Sequence, residues 1–107
     1  MTIQNSDLEK QIIEVCKTIV VQLRGNQAGE GNTIINLELI KTLHEILESY
    51  KVHIDNEEFV NKNIVGLLFY TCSRFYIQSK YSKNSAELLT NFDKLNFKLI
   101  KLYTTNL

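Results

Sequence analysis

The side chains that could do chemistry in this sequence are two cysteines, two histidines and a set of scattered carboxylates. Cys16 and Cys72 are too far apart for a metal-binding motif and too few for a disulfide framework. His44 and His53 each lack a nearby Cys, Asp or second His at a spacing typical of zinc ligands. Neither histidine has a Glu three residues before it, the pair with which helical bundles hold two metal ions. The pattern therefore predicts no metal site.

The carboxylates and the glycine-rich stretch offer no better start for catalysis. Glu57 and Glu58 are adjacent, so a helix would point them to different sides, where they suit the positive end of its dipole. The segment Gly25–Asn32 lacks the Gly-Lys-Ser/Thr ending of a phosphate-binding loop and the strand-loop-helix setting of a dinucleotide site. We therefore expect no catalytic residue, no cofactor and no enzymatic activity.

Three lysines of the last quarter of the chain form the clearest charged pattern. Lys94, Lys98 and Lys101 recur at steps of four and three residues, so a helix would place them along one side as a basic ridge. Residues 60–107 carry seven basic and two acidic residues, a net charge of +5, against −5 for residues 1–59. Either the two parts attract each other when packed, or the basic part faces an anionic partner such as a membrane surface. No compact Lys/Arg cluster predicts binding to nucleic acid.

The elements that must position these side chains are helices, because the 107 residues include no proline and only four glycines. Hydrophobic residues recur at steps of three and four, the spacing of one helical face. This periodicity predicts helices at about 7–24, 33–52, 56–80 and 83–103, with a flexible loop at 25–32. Short connections favour one all-α domain, an antiparallel up-down four-helix bundle.

Capping signals define the predicted helix ends. The side chains expected to cap the N-termini of the helices are Ser6, Asn32 or Thr33, Asp55 and Ser82. The cap at Asp55 makes Asp55–Tyr81 the central helix and puts Phe59 and Val60 on its apolar face. Gly66 within this helix predicts either the close approach of a neighbouring helix or neutral drift. Residues 1–5 and 104–107 carry no helical signal, and we expect them to be loose.

Part of the sequence resembles a known family. The third predicted helix carries Val60-Asn61-Lys62 early in its length and continues through Leu67-Leu68-Phe69-Tyr70. Tyr81-Ser82 forms the next corner, before Glu87-Leu88-Leu89. Between about Leu37 and Leu95 the chain is therefore similar to the immunity proteins of pediocin-like (class IIa) bacteriocins, the enterocin A immunity family.

The resemblance implies a four-helix bundle that protects a bacteriocin-producing bacterium from its own peptide without doing chemistry. It also implies a partner, the mannose phosphotransferase permease with bacteriocin bound, engaged from the cytosolic side of the membrane. The polar start of the chain and the lack of a stretch of roughly 20 apolar residues agree with a cytoplasmic location. Weak association with the inner membrane face is part of the same expectation.

In that family the last helix and the C-terminal end are held to govern which bacteriocin is countered, here residues 82–107. The candidate partner-binding residues are Arg74, Lys80, Lys83, Lys94, Lys98, Lys101 and Tyr103. Two other interpretations stay open: the basic ridge is only a solvated face, or the chain is a regulatory or adaptor bundle that binds another protein through its Phe75–Tyr81 end.

Overall fold

The computed structural model describes residues 5–26 and 31–104. Within these residues the protein is all-helical, with four helices and no strand. The helices are α1 (Asn5–Leu23), α2 (Leu37–Ile54), α3 (Lys62–Ser79) and α4 (Ser85–Tyr103), and a single 3-10 turn at Arg24–Asn26 follows α1. The predicted loose residues 1–4 and 105–107, and the middle of the predicted loop, 27–30, lie outside the described residues.

One hydrophobic core joins the four helices. Helix α1 packs against α2 and α3, helix α3 also packs along α4, and α2 contacts α4. The apolar residues of the core are Leu8, Ile12, Cys16, Ile19, Leu23, Ile40, Leu43, Ile46, Leu47, Tyr50, Ile54, Ile64, Leu68, Cys72, Phe75, Leu88, Leu95, Leu99 and Leu102. Most of these positions recur at the three- and four-residue steps of the predicted helices, whereas the apolar side chains of Val21 and Tyr76 are exposed. None of the described helices is long and apolar enough to cross a membrane.

Helix α2 begins four residues later than predicted. Asn36, not Asn32 or Thr33, is its N-cap, because the Asn36 side chain accepts a hydrogen bond from the Leu39 amide at 3.0 Å. That bond satisfies one of the amides that the first turn leaves without a helical partner. The helix also continues past the predicted end at 52 and finishes at Ile54.

The start of the central helix was predicted wrongly. Asp55 does not cap it but follows the last residue of α2, where its carboxylate meets Lys51 at 3.4 Å. Helix α3 begins at Lys62, and the side chain of Asn61 accepts hydrogen bonds from the amides of Asn63 (2.9 Å) and Ile64 (3.4 Å). Phe59 therefore lies outside the helix and is 83 % exposed, instead of joining the core.

The predicted caps at Ser6 and Ser82 are also wrong. Helix α1 already includes Ser6, and α4 begins at Ser85, beyond Ser82. The hydroxyl of Ser82 instead forms a hydrogen bond with the hydroxyl of Thr33. The Asn84 amide group also bonds to the backbone of Thr33, so the segment before α2 is tied to the corner between α3 and α4.

Gly66 lies on the exposed side of α3, and a Cβ built on it would meet nothing within 4 Å. No other helix in the described part of the chain approaches this glycine closely. The expectation that Gly66 makes room for a neighbouring helix of the same chain is therefore wrong.

Candidate functional site

The basic ridge borders a groove between α2 and α4. The groove has a volume of about 320 Å³ and is lined by His44, Glu48, Lys94, Phe97, Lys98 and Lys101. We call these six residues the lysine groove. The sequence predicted the three lysines, and the structure adds one wall from α2 and the exposed ring of Phe97 from α4.

Helix α4 brings the lysines together because of its periodicity. Lys94, Lys98 and Lys101 are separated by about one turn each, so they follow one side of the helix. Leu95 and Leu99 lie next to them in sequence but face the core, and burial of these leucines sets the rotation of α4 about its own axis. The lysines are therefore held at the seam with α2.

Lys98 differs from the other two lysines because it already has a partner. Its ammonium group forms an ion pair with Glu48 of α2, and its side chain is only 20 % exposed. The hydrogen bond and charge of Lys98 lower the pKa of the Glu48 carboxyl. The pair thus joins α2 to α4, and Lys98 belongs to the wall of the groove more than to an open ridge.

His44 is half-buried in the wall of the groove. Burial, followed by the positive charges of Lys98 and Lys94, lowers the pKa of the imidazole below its ordinary 6.5. The ring is therefore mostly neutral at pH 7 and offers one N–H donor and one acceptor.

Lys94 and Lys101 have no carboxylate partner among the described residues. The Lys101 ammonium lies 4.7 Å from the centroid of the Phe97 ring, a cation–π contact. With His44 neutral, three lysines and one glutamate leave the lysine groove with a net charge of +2. Two free ammonium groups beside an exposed aromatic ring can bind a carboxylate or phosphate group that carries an apolar neighbour.

The other predicted cations lie away from the lysine groove, at the C-terminal end of α3. Arg74 is half-buried and donates to Gln78 at 3.2 Å, while its buried Nε has no partner. Lys80 lies 4.9 Å from the centroid of the Tyr76 ring, and the side chain of Lys83 is exposed. These three residues form a separate basic region.

Tyr103, the last predicted site residue, is also outside the lysine groove. It lines a smaller groove of about 130 Å³ together with Ile54, Asp55, Glu57, Glu58, Val60 and Leu102. Its hydroxyl is buried without a hydrogen-bond partner among residues 5–26 and 31–104, and burial followed by the charge of Glu9 raises the pKa of Tyr103 to about 12. The acidic lining makes this groove opposite in charge to the lysine groove.

A polar cluster that the sequence did not predict connects the start of α1 with α2 and α3. The carboxylate of Glu9 accepts hydrogen bonds from the Tyr50 hydroxyl at 2.8 Å and from the Asn61 side chain at 3.3 Å. Burial, followed by the hydrogen bond and charge of Glu9, raises the pKa of Tyr50. No local pattern in the sequence around Glu9 points to partners 41 and 52 residues away.

The two cysteines are free, buried thiols in the core. Burial raises the pKa of each thiol to about 11, and a hydrogen bond with Thr71 partly offsets the effect at Cys16. Within residues 5–26 and 31–104, no three His, Cys, Asp or Glu side chains come together as a metal site would require.

Comparisons of the chain with models of known protein families, with curated proteins and with solved structures gave no match.

Proposed function

We propose that this chain is an immunity protein of the pediocin-like (enterocin A) type, which protects a producing bacterium by binding and not by catalysis. The observation that carries the proposal is the lysine groove, which presents two unpaired lysines on the helix that the family resemblance assigns to recognition. An open groove with fixed charge and an exposed ring suits recognition of a partner surface.

The residues that carry the resemblance have clear tasks in the fold. Asn61 caps α3 and also bonds to Glu9, and Leu88 is fully buried at the start of α4. These tasks support a common architecture, because a cap and a core leucine determine where helices begin and how they pack.

The proposed architecture is an antiparallel up-down bundle. Two contacts support it: Tyr50 near the end of α2 bonds to Glu9 near the start of α1, and Asn61 at the start of α3 bonds to the same glutamate. In such a bundle α2 and α4 run in the same direction, which agrees with the ion pair between Glu48 and Lys98. The lysine groove then extends along the bundle between these two helices.

The proposed partner is the mannose phosphotransferase permease with the bacteriocin bound, reached from the cytoplasmic side of the membrane. Lys94 and Lys101 would meet carboxylate groups of that complex, and Phe97 would cover an apolar neighbour. In this scheme the lysine groove attracts anionic groups of the partner weakly. Raising the salt concentration should weaken partner binding, because salt screens the charges of Lys94 and Lys101.

The test is protection of a sensitive strain against a panel of pediocin-like peptides. The wild-type chain should raise the tolerated concentration of one or a few peptides, and the double reversal K94E/K101E should abolish that effect. K10E/K17E changes the net charge by the same amount on the exposed side of α1 and should keep protection. Equal helical circular dichroism for the three proteins establishes that folding is unchanged.

Unchanged killing by every peptide of the panel would remove the immunity proposal. Full protection by K94E/K101E would remove the role of the lysine groove. We leave Lys98 out of the reversal because a glutamate there would face Glu48, and the resulting repulsion would change packing between α2 and α4.

A second candidate is a regulatory or adaptor bundle, and the exposed side chains of Tyr76, Ile77 and Tyr81 favour it. Phe75 cannot take part in that contact as we expected, because it is buried in the core. A neighbouring gene for a small secreted peptide would support the immunity function. If no such gene lies nearby and one protein binds the chain through Tyr76, Ile77 and Tyr81, the adaptor function would be supported.

A further inference from the structure

The outward side of α3 is unusually apolar for an exposed helix. Eight residues spaced at three and four steps share this side, and we call them the outer α3 face: Lys62, Gly66, Phe69, Tyr70, Ser73, Tyr76, Ile77 and Lys80. Phe69 and Tyr70 are each 45 % exposed, and Tyr76 and Ile77 are exposed to a similar degree. Single exposed apolar residues are normal on a protein surface, but four on one helical face indicate a contact surface.

The charged residues of the segment that carries this face are all of one sign. The sequence contains no Asp or Glu between Phe59 and Ala86, whereas Lys62, Arg74, Lys80 and Lys83 fall within that span. Lys62 and Lys80 are 18 residues apart on a helix, which places them at opposite ends of the outer α3 face, about 27 Å from each other.

The exposed apolar side chains and the lysines together indicate which kind of partner can cover the outer α3 face. A second copy of the chain meeting the outer α3 face with its own would bring the lysines of two faces together, and neither face supplies a carboxylate, so self-association through this face is opposed. An anionic bilayer offers the opposite charge to the lysines at both ends and an apolar layer to the rings between them. Tyrosines suit the level of the lipid headgroups, because the ring is apolar while the hydroxyl stays hydrated.

We propose that the outer α3 face is a peripheral contact surface for anionic lipid bilayers, with Phe69, Tyr70, Tyr76 and Ile77 entering the headgroup region and Lys62 and Lys80 binding lipid phosphates. Gly66 and Ser73 have small side chains, so the rings beside them can reach the surface without obstruction. The helix lies along the surface and does not cross it.

The inference depends on α3 alone and stands without the immunity function, whose proposed site is on α2 and α4. A chain that binds vesicles but gives no protection would lose the immunity proposal and keep this one. A chain that protects but binds no vesicles would lose the lipid-contact proposal and keep the immunity proposal.

Co-sedimentation with vesicles tests whether Lys62 and Lys80 bind anionic lipid. The purified chain should bind vesicles containing about one third phosphatidylglycerol, bind much less to pure phosphatidylcholine, and dissociate as salt is raised. K62Q/K80Q should lower the partition coefficient by about 30-fold, because each lysine near an anionic surface contributes about a fivefold factor. K10Q/K17Q, which removes the same charge from α1, should lower it by less than about threefold.

Fluorescence tests the apolar residues. The chain has no tryptophan, so a single substitution gives an unambiguous reporter. The emission of Y70W should move to shorter wavelength when anionic vesicles are added, since the indole leaves water. V21W, at an exposed position of α1 outside both proposed surfaces, should keep its wavelength.

Any of four results would overturn the proposal: no binding to anionic vesicles, equal losses for K62Q/K80Q and K10Q/K17Q, equal shifts for Y70W and V21W, or binding to the single-stranded RNA polyuridylate without binding to vesicles. Circular dichroism of each variant in buffer checks that α3 is intact. A second variant, Phe69→Ser, keeps every charge and should still weaken binding, which separates apolar contact from simple charge attraction.

Discussion

The connection between α1 and α2 should depend on one side chain, that of Asn84. Its Oδ1 accepts a hydrogen bond from the Thr33 amide and its Nδ2 donates to the Thr33 carbonyl, each at 2.9 Å. The Lys83 amide adds a bond to the Gly31 carbonyl at 2.8 Å. Thr33 is buried, so water does not readily replace these partners. We predict that Asn84→Ala lowers the free energy of unfolding far more than an average surface substitution.

The magnitude follows from the two bonds. An intramolecular hydrogen bond contributes about 1 kcal/mol net, and a buried group left without a partner costs about 1–3 kcal/mol. Asn84→Ala should therefore lower the free energy of unfolding by about 2–4 kcal/mol, a large part of the roughly 5–15 kcal/mol typical of a domain. At about 4–8 °C per kcal/mol, the melting temperature should fall by at least about 8 °C.

Urea and thermal unfolding followed by circular dichroism would measure this effect. Asn84→Asp keeps the acceptor for the Thr33 amide but places a carboxylate oxygen against the Thr33 carbonyl oxygen, so it should lose at least as much stability as Asn84→Ala. Asn56→Ala, at an exposed asparagine between α2 and α3, is the matched control and should change stability by less than about 0.5 kcal/mol. An Asn84→Ala protein as stable as this control would refute the reasoning.

Three further predictions concern single positions. Gly66→Ala should raise the free energy of unfolding by about 1 kcal/mol in urea titrations, because alanine is the better helix former and its Cβ meets nothing within 4 Å; a loss of stability would contradict the structure. Cys16 and Cys72 should react slowly with a thiol reagent at pH 8 and rapidly in urea, since burial raises both pKa values to about 11; fast labelling of the folded chain would refute this. His44 has a pKa that burial, followed by Lys98 and Lys94, lowers from 6.5, so the unfolded chain binds its proton more readily. The wild type should therefore lose stability relative to His44→Gln as the pH falls below about 6.5, measured by urea unfolding at several pH values, and a constant difference would count against the assignment.

Much of the fold could be predicted from local patterns. The apolar positions of α1 and α4 recur at helical spacing, and the structure buries most of them. The first residue of each helix was harder to predict. Several residues in each connection can act as the N-cap, and contacts with other parts of the chain decide which of them does. Thr33 illustrates this, since the corner before α4 binds it and leaves Asn36 to cap α2.

The candidate site divides in the same way. The spacing of Lys94, Lys98 and Lys101 predicts a ridge on α4, but it does not say that α2 lies beside it. Contact between α2 and α4 pairs Lys98 with Glu48 and leaves the other two lysines without carboxylate partners in the described part of the chain. Spacing along one helix therefore could not distinguish Lys98, which pairs with Glu48, from Lys94 and Lys101, which a partner can reach.

The sequence by itself determined that the chain forms amphipathic helices, because hydrophobic periodicity and the lack of proline act within a few residues. Only the tertiary structure decided which polar groups pair across the fold, such as Glu9 with Tyr50 and Asn84 with Thr33. It also left Phe69 and Tyr70 exposed within an apolar stretch that the sequence could assign only to a core helix. The physical reason is that burial depends on the packing of whole helices, which residue spacing along one helix does not specify.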